Sequence, residues 1–423
     1  MNTLEFEKLV DDAEYIDYDH GEDAYVLSVH FQSCFYLWNS YKPEVRTAIQ
    51  NCYQHYMELW GAHITWGFDP LKNWRQKSFD KLPTFQHVLE KRSDRDDTIE
   101  WYVADGGYKE YEIDLANKYV FSVITSPAWQ IQEAAQIRFR VSRHLYYEQE
   151  SKQQLLDFNE YCMEQLNPWY AVSGMQAATP FGDSNIKFDL VNQARDYKGI
   201  FIEESWDTVR LHYGIRSFDW LTFINNSLAE RVGGIQQLEA SLKKAQLKYK
   251  KKSQGVLIQV TEDPELIPIN QDVPNNYLKL NAILRPLRDG NYGSMGDATY
   301  ADDNLQSFDP EVSDLWMRRF DHKCVWNDLI STAKSRKPLV PIKLKSNEIC
   351  QVSGRYRFEE DYDFVRDEPL SYEENDTRER DYRSYIILNK GDLAPYYLKL
   401  DQHGNFIERL EIEWTLFEEF NYV

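Results

Sequence analysis

The chain has 423 residues, 42% of them hydrophobic, which is enough for two domains or for one large domain with a smaller companion. Its 48 basic and 69 acidic side chains give a formal net charge of −21, so binding to DNA, RNA or an anionic membrane is electrostatically unfavourable and a basic partner is favoured. The five cysteines are widely spaced, which argues against a disulfide framework or a metal knuckle and favours a reducing compartment.

The first residues are acidic and lack the basic start and apolar core of a secretory signal. Nowhere does an apolar run approach the roughly 20 residues that a membrane-spanning helix needs. We therefore expect a cytoplasmic protein without membrane contact.

The predicted elements alternate irregularly along the chain. Residues 24–38 are rich in Val, Phe and Tyr and predict a long strand, and Pro43 is suited to the first turn of the helix that follows. Further strand patterns occupy residues 99–103, 119–124 and 137–146, and helical patterns occupy 151–166, 189–194 and 235–245. Because strands and helices do not alternate as βαβ units, we predict an α+β fold with a mostly antiparallel sheet.

Residues 219–232 have the features of a well-terminated amphipathic helix. Trp220, Ile224 and Leu228 recur at helical spacing, and Asp219 could accept hydrogen bonds from the first amides of a helix. Gly233 and Gly234 could adopt the left-handed conformation that ends it. The pattern therefore predicts a helix over this stretch.

The same stretch carries a family resemblance. Its order of Trp-Leu-Thr followed by a double glycine resembles the signature of the type VI secretion immunity protein family, and other landmarks of that family match upstream and downstream, over about residues 20–322. The matching residues are Trp66, Trp220, Leu221, Thr222, Gly233, Gly234, Trp316, Arg319, Phe320 and Asp321.

The resemblance implies an immunity protein that binds a cognate effector toxin and neutralises it stoichiometrically by occlusion, with no cofactor. It supplies no catalytic residue. A cytoplasmic inhibitor implies a toxin that acts inside the cell, and the charge of −21 favours a nuclease-like toxin with a basic active-site surface.

The chain changes character after residue 322. We expect residues 1–322 to form a large α+β domain, 323–345 a connector rich in basic residues, and 346–423 a small β-rich domain with strands at 351–358, 383–388, 396–400 and 406–417. A separate basic stretch, residues 243–252, could be read as a nucleic-acid patch. In an acidic chain, a solvated helix end whose lysines pair with nearby carboxylates is the expected alternative.

The sequence offers little catalytic chemistry. Its nine histidines are dispersed and form no zinc or iron motif, and neither a nucleophile elbow nor a phosphate-binding loop is present. Acidic pairs such as Asp17/Asp19 and Asp361/Asp363 leave one alternative function, a metal-dependent or hydrolytic enzyme.

Residues 359–381 form the densest charge feature, with eleven carboxylates against three arginines and with aromatic residues among them. We call this segment the acidic-aromatic run. It could be a solvated acidic loop, or it could be a decoy surface that competes with nucleic acid for a basic toxin cleft. In the second interpretation the effector-binding residues are Asp361, Tyr362, Asp363, Phe364, Glu373, Glu374 and Asp376.

Overall fold

The structure is a computed structural model. It describes residues 3–16, 25–106, 116–130, 134–178, 193–194, 196–202, 211, 214–288, 313, 316–321, 334–336, 338, 342–358, 385–388, 390–400 and 406–421.

A large antiparallel sheet forms the centre of the first 320 residues. Its described strands are β1 (Tyr15–Ile16), β2 (Tyr25–Leu37), β3 (Trp66–Asp69), β4 (Arg75–Ser78), β5 (Glu100–Ala104), β6 (Val120–Ile124), β7 (Ala135–Val141), β8 (Tyr170–Ala178), β9 (Leu221–Asn225), β10 (Lys248–Lys252) and β11 (Gly255–Gln259). They are ordered β10-β11-β9-β8-β2-β7-β6-β5-β3-β4, and β1 pairs with β2. The longest strand, β2, therefore lies near the middle of the sheet between β7 and β8.

The helices precede or follow these strands. Among the described residues they include α1 (Thr3–Ala13), α2 (Pro43–Trp60), α3 (Phe85–Lys91), α4 (His144–Tyr147), α5 (Gln149–Leu166), α6 (Asn226–Ala229), α7 (Ile235–Lys244) and α8 (Asn275–Leu284), with short 3-10 helices at Gly61–His63, Phe79–Lys81, Glu230–Val232 and Arg285–Leu287. Mixed helices and an antiparallel sheet confirm the predicted α+β class.

Helices α2 and α5 pack on the sheet through aromatic side chains. Phe158 of α5 lies 4.8 Å from Phe139 of β7 and 5.0 Å from Trp60 of α2, measured between ring centroids. All three side chains are buried. Because burial of one such ring contributes about 1.5–3 kcal/mol, this layer fixes both helices on the sheet.

The prediction of one helix over residues 219–232 is wrong in its first half. Residues 221–225 form β9, which pairs with β8 on one side and β11 on the other. A central strand buried on both faces is apolar almost throughout, so the helical spacing of Trp220 and Ile224 was coincidental. The helix begins only at α6, where the Asn225 side chain accepts a hydrogen bond from the Leu228 amide at 2.7 Å.

Two further predictions need correction. The strand predicted over 137–146 ends at Val141, and turns at Ser142 and Arg143 lead into α4. The lysines of 243–252 are not all at a helix end, because α7 ends at Lys244 and residues 248–252 form edge strand β10. Lysine-rich edge strands resist pairing with other chains. The expected carboxylate partners are present, since Lys252 Nζ lies 2.6 Å from Glu160 and 2.8 Å from Glu164.

A second, smaller sheet follows in the chain. It contains β12 (Lys334–Arg336), β13 (Ile342–Lys345), β14 (Gly354–Arg357), β15 (Tyr385–Leu388) and β18 (Glu413–Asn421), while β16 (Tyr397–Leu400) and β17 (Phe406–Leu410) form a two-stranded ribbon. The sheet has its own buried cluster, which includes Tyr356 and Trp414. We call residues 334–421, which contain both this sheet and the ribbon, the C-terminal module.

The strands differ from the sequence expectations in two places. Strands β12 and β13 pair with β18, so the second sheet includes part of the segment that was expected to be a connector. The single strand predicted over 406–417 is two strands, because β17 pairs with β16 whereas β18 pairs with β14. Most of the helical pattern at 189–194 lies outside the described residues.

Candidate functional site

Asp219 lies at the centre of the signature stretch, directly before β9. Its side chain is fully buried and accepts a hydrogen bond from the Trp220 amide at 2.6 Å. Gln176 Nε2 of β8 lies 3.4 Å from the same carboxylate, and Thr222 Oγ1 accepts from the Asp219 amide at 3.1 Å. Burial raises the pKa of Asp219 to about 7.

Gly174 of β8 makes room for this carboxylate. A Cβ atom at position 174 would lie 2.5 Å from Asp219 Oδ1 and 2.6 Å from its Cγ and Oδ2. Such distances are far below van der Waals contact, so the position requires the absence of a side chain.

Arg319 is the buried cation that faces this region. Its Nε donates to the Lys198 carbonyl at 2.7 Å and its Nη1 to Ser217 Oγ at 3.1 Å. The guanidinium also lies 3.7 Å from the Trp316 ring centroid, within cation–π range. Burial lowers the pKa of Arg319 to about 9, against the opposing charge of Asp219.

Asp321 forms a second buried ionic network two residues later. Arg288 Nη2 lies 2.7 Å and 3.0 Å from its two carboxylate oxygens, and Asn281 Nδ2 donates to it at 2.7 Å. Burial alone would raise the pKa of Asp321, but the charge and hydrogen bonds of Arg288 outweigh it and hold the pKa at about 2.

The remaining signature residues are also mostly buried. Trp66 belongs to a separate cluster, where its Nε1 donates to the Asp105 carbonyl at 2.8 Å, whereas Phe320 packs on Tyr277 at 5.1 Å. Gly233 has φ +95°, the left-handed conformation predicted for it, and ends the 3-10 helix that follows α6. Buried side chains cannot contact a partner, so these residues stabilise the fold.

The predicted effector-binding residues have no described geometry. Asp361, Tyr362, Asp363, Phe364, Glu373, Glu374 and Asp376 all lie outside the described residues. In the chain they fall between β14 and β15, which pair in the second sheet.

A cleft that no sequence pattern indicates lies elsewhere in the structure. It has a volume of about 730 Å³ and lies between the C-terminal module and residues 231–318. The latter belong to the part of the chain that contains the large sheet, residues 3–321, which we call the main domain. Leu238 of α7 and Ile283 of α8 belong to one wall, and Leu393 and Tyr396 to the other. We call it the arginine cleft, since Arg231, Arg285, Arg288, Arg318 and Arg409 line it.

The two walls are joined by polar contacts. Arg285 Nη2 lies 2.5 Å from Asp392 of the C-terminal module, and Arg409 Nη2 donates to the Arg231 carbonyl at 2.6 Å. Arg288 is engaged with Asp321, as described above. Among the described residues, five arginines and no aspartate or glutamate line the cleft, and two of these arginines pair with Asp392 and Asp321.

A linear pattern could not have revealed this cleft. Its arginines are spread from position 231 to position 409, and only the docking of the C-terminal module brings them together. The neighbouring pairs at 285/288 and 318/319 were the only local signal, and both include an arginine that is committed to a buried network.

The described part of the chain contains neither a cluster of metal ligands nor a helix that could span a membrane. There, no three His, Cys, Asp or Glu side chains come together as metal ligands. Both acidic pairs of the enzyme alternative, Asp17/Asp19 and Asp361/Asp363, lie outside those residues. Over the same ranges, none of the helices has the length and apolarity required to cross a membrane.

Comparisons with known proteins add a family and a fold. Residues 48–320 match the model of the TsiV family, described as type VI immunity for VRR-NUC. The solved structure of the Pseudomonas aeruginosa T6SS protein PA0821 is similar, with a TM-score of 0.64, 18% identity, and coverage of 78% of this chain and 96% of that chain. At this identity the likeness shows the fold alone. None of the curated proteins is significantly similar in sequence.

Proposed function

Because this chain belongs to the TsiV family of type VI immunity proteins, we propose that it binds one cognate effector toxin and inhibits it by occlusion, without turnover. The observation that carries the proposal is the family match over residues 48–320. That range takes in most of the large sheet, including β9, and ends within the buried Trp316–Phe320 segment. An occluding inhibitor needs no catalytic group, so we also propose that the protein is not an enzyme.

We propose that the toxin is a nuclease. The family description names VRR-NUC as the target of these immunity proteins. The net charge of −21 supports the same assignment, since a surface that binds nucleic acid is basic and attracts an acidic inhibitor. A nuclease acts where nucleic acid is, so inhibitor and toxin would meet in the cytoplasm.

The acidic-aromatic run is the contact that we propose for the basic surface of the toxin. Carboxylates of the run would speed association through long-range attraction, and its aromatic residues would fill pockets in the complex. The composition of residues 359–381 supports this assignment.

Co-expression with the product of the adjacent gene tests the proposed function. We expect the two proteins to co-purify, and we expect the inhibitor to restore growth without an added export signal. The control is the same chain with an unrelated toxin, which it should not neutralise. Rescue that requires export to the periplasm would contradict the placement in the cytoplasm, and failure to bind the adjacent toxin would contradict the proposal.

A further inference from the structure

The arginine cleft presents positive charge that the fold only partly compensates. Arg285 and Arg288 have the carboxylate partners Asp392 and Asp321. Arg409 is exposed and donates to a carbonyl oxygen, which is a neutral acceptor, and none of the described carboxylates lies within ion-pair distance of it. A guanidinium has five N–H donors, so Arg409 keeps donors available for an anionic partner.

An apolar patch adjoins this charge. Leu393, which lines the cleft, and Ile349 each expose 56% of their surface and form an antiparallel bridge with each other. Elsewhere in the described residues, the exposed large hydrophobic side chains are Trp129 and Ile407. Exposed neighbouring apolar residues beside arginines are typical of protein interfaces, where arginine and aromatic anchors carry much of the binding energy.

We propose that the arginine cleft binds an acidic peptide segment of the toxin. In this arrangement a carboxylate of the segment pairs with Arg409, and an apolar side chain of the segment covers Leu393 and Ile349. The inference rests on the proposed function, and it adds a second contact of opposite charge to the acidic-aromatic run.

A peptide fits the observations better than other anions do. A nucleic acid would be repelled by the net charge of −21 and would leave Leu393 and Ile349 exposed. A small phosphate compound would also leave the patch uncovered. A cleft of about 730 Å³ accommodates a few side chains, and a protein partner can extend from it over the apolar patch.

Two substitutions in the full-length chain test the inference. Arg409→Glu reverses the exposed charge, and Leu393→Asn removes the apolar side chain without adding charge. Lys81→Glu and Trp129→Asn make matched changes at exposed positions of the main domain outside the cleft. Affinity is measured for the toxin from the adjacent gene, carrying an inactivating substitution.

We expect each cleft variant to weaken binding about tenfold or more, and each control to bind like the wild type. Thermal unfolding of the variants checks that they fold. Because the Leu393 side chain is exposed, Leu393→Asn provides a readout even where Arg409→Glu perturbs the docking of the C-terminal module. In the wild-type complex, hydrogen exchange should slow in residues 282–286 and 391–396.

The outcomes separate the inference from the proposed function. If the wild type does not bind the toxin, the proposed function fails and the inference fails with it. If the wild type binds and both cleft variants bind equally well, the cleft is not a contact while the immunity function stands. Unchanged hydrogen exchange in both cleft segments would likewise overturn the inference.

Discussion

Replacement of Gly174 by alanine tests how tightly the signature residues are packed. The new Cβ atom would lie 2.5–2.6 Å from three atoms of the Asp219 side chain. Asp219 is fully buried and held by the Trp220 amide, so it cannot move aside without losing that hydrogen bond.

Overpacking of this kind costs about 1–3 kcal/mol. We therefore expect Gly174→Ala to lower the free energy of unfolding by that amount, measured by urea denaturation. Gly61→Ala is the matched control, because its Cβ would meet the flexible end of Met57 at 2.8 Å and φ at position 61 is −58°. Its effect should be much smaller.

A double-mutant cycle identifies the cause. In an Asp219→Ala background the three atoms that the new methyl group meets are gone, so Gly174→Ala should cost far less there than in the wild type. Equal costs in the two backgrounds would show that Asp219 is not what excludes a side chain from position 174.

Three further predictions follow from the charges. The pKa of Asp321 is about 2 in the folded protein and 3.8 ordinarily, so its ionised form contributes about 2 kcal/mol to the free energy of unfolding above pH 4. This contribution is lost as the pH falls towards 2, and acid titration of the variant Asp321→Asn should lack that loss. The pKa of Asp219 is raised to about 7, so between pH 4 and 7 the folded protein keeps a proton that the unfolded chain has lost. The free energy of unfolding should therefore fall by up to about 4 kcal/mol as the pH rises from 4 to 7. A variant Asp219→Asn that showed the same dependence of stability on pH would contradict this. Replacement of five carboxylates of the acidic-aromatic run by lysine should slow association with the toxin and abolish protection. Five such replacements at exposed positions of the main domain should do neither. The first set is Asp361, Asp363, Glu373, Glu374 and Asp376, and the control set is Glu44, Asp80, Glu90, Asp96 and Glu150.

Local chemistry explains which elements could be predicted. Pro43 begins α2 and Gly233 adopts a left-handed conformation, because both residues restrict or permit backbone angles by themselves. Residues 221–225 were assigned to a helix because a strand buried on both faces has no alternating pattern to distinguish it. Pairing with β8 and β11 in the folded protein makes this segment a strand.

The functional residues were likewise predictable from the sequence only in part. The order of signature residues predicted the family, and the match over residues 48–320 confirms it. The buried surroundings of Asp219 and the ion pair of Asp321 could not be predicted, since Gly174 lies 45 residues before Asp219 in the chain and Arg288 lies 33 residues before Asp321. The arginine cleft forms between two parts of the chain that have separate hydrophobic cores, and no local sequence pattern predicts how these parts pack together.

Titration of the toxin with this protein distinguishes inhibition by occlusion from inhibition with turnover. A fixed amount of the cognate toxin is mixed with increasing amounts of this protein, and the remaining toxin activity is measured. We expect the activity to fall linearly and to reach its end point at about one inhibitor per toxin when both are well above the dissociation constant. Complete protection by a small fraction of one equivalent would show turnover and contradict inhibition by occlusion.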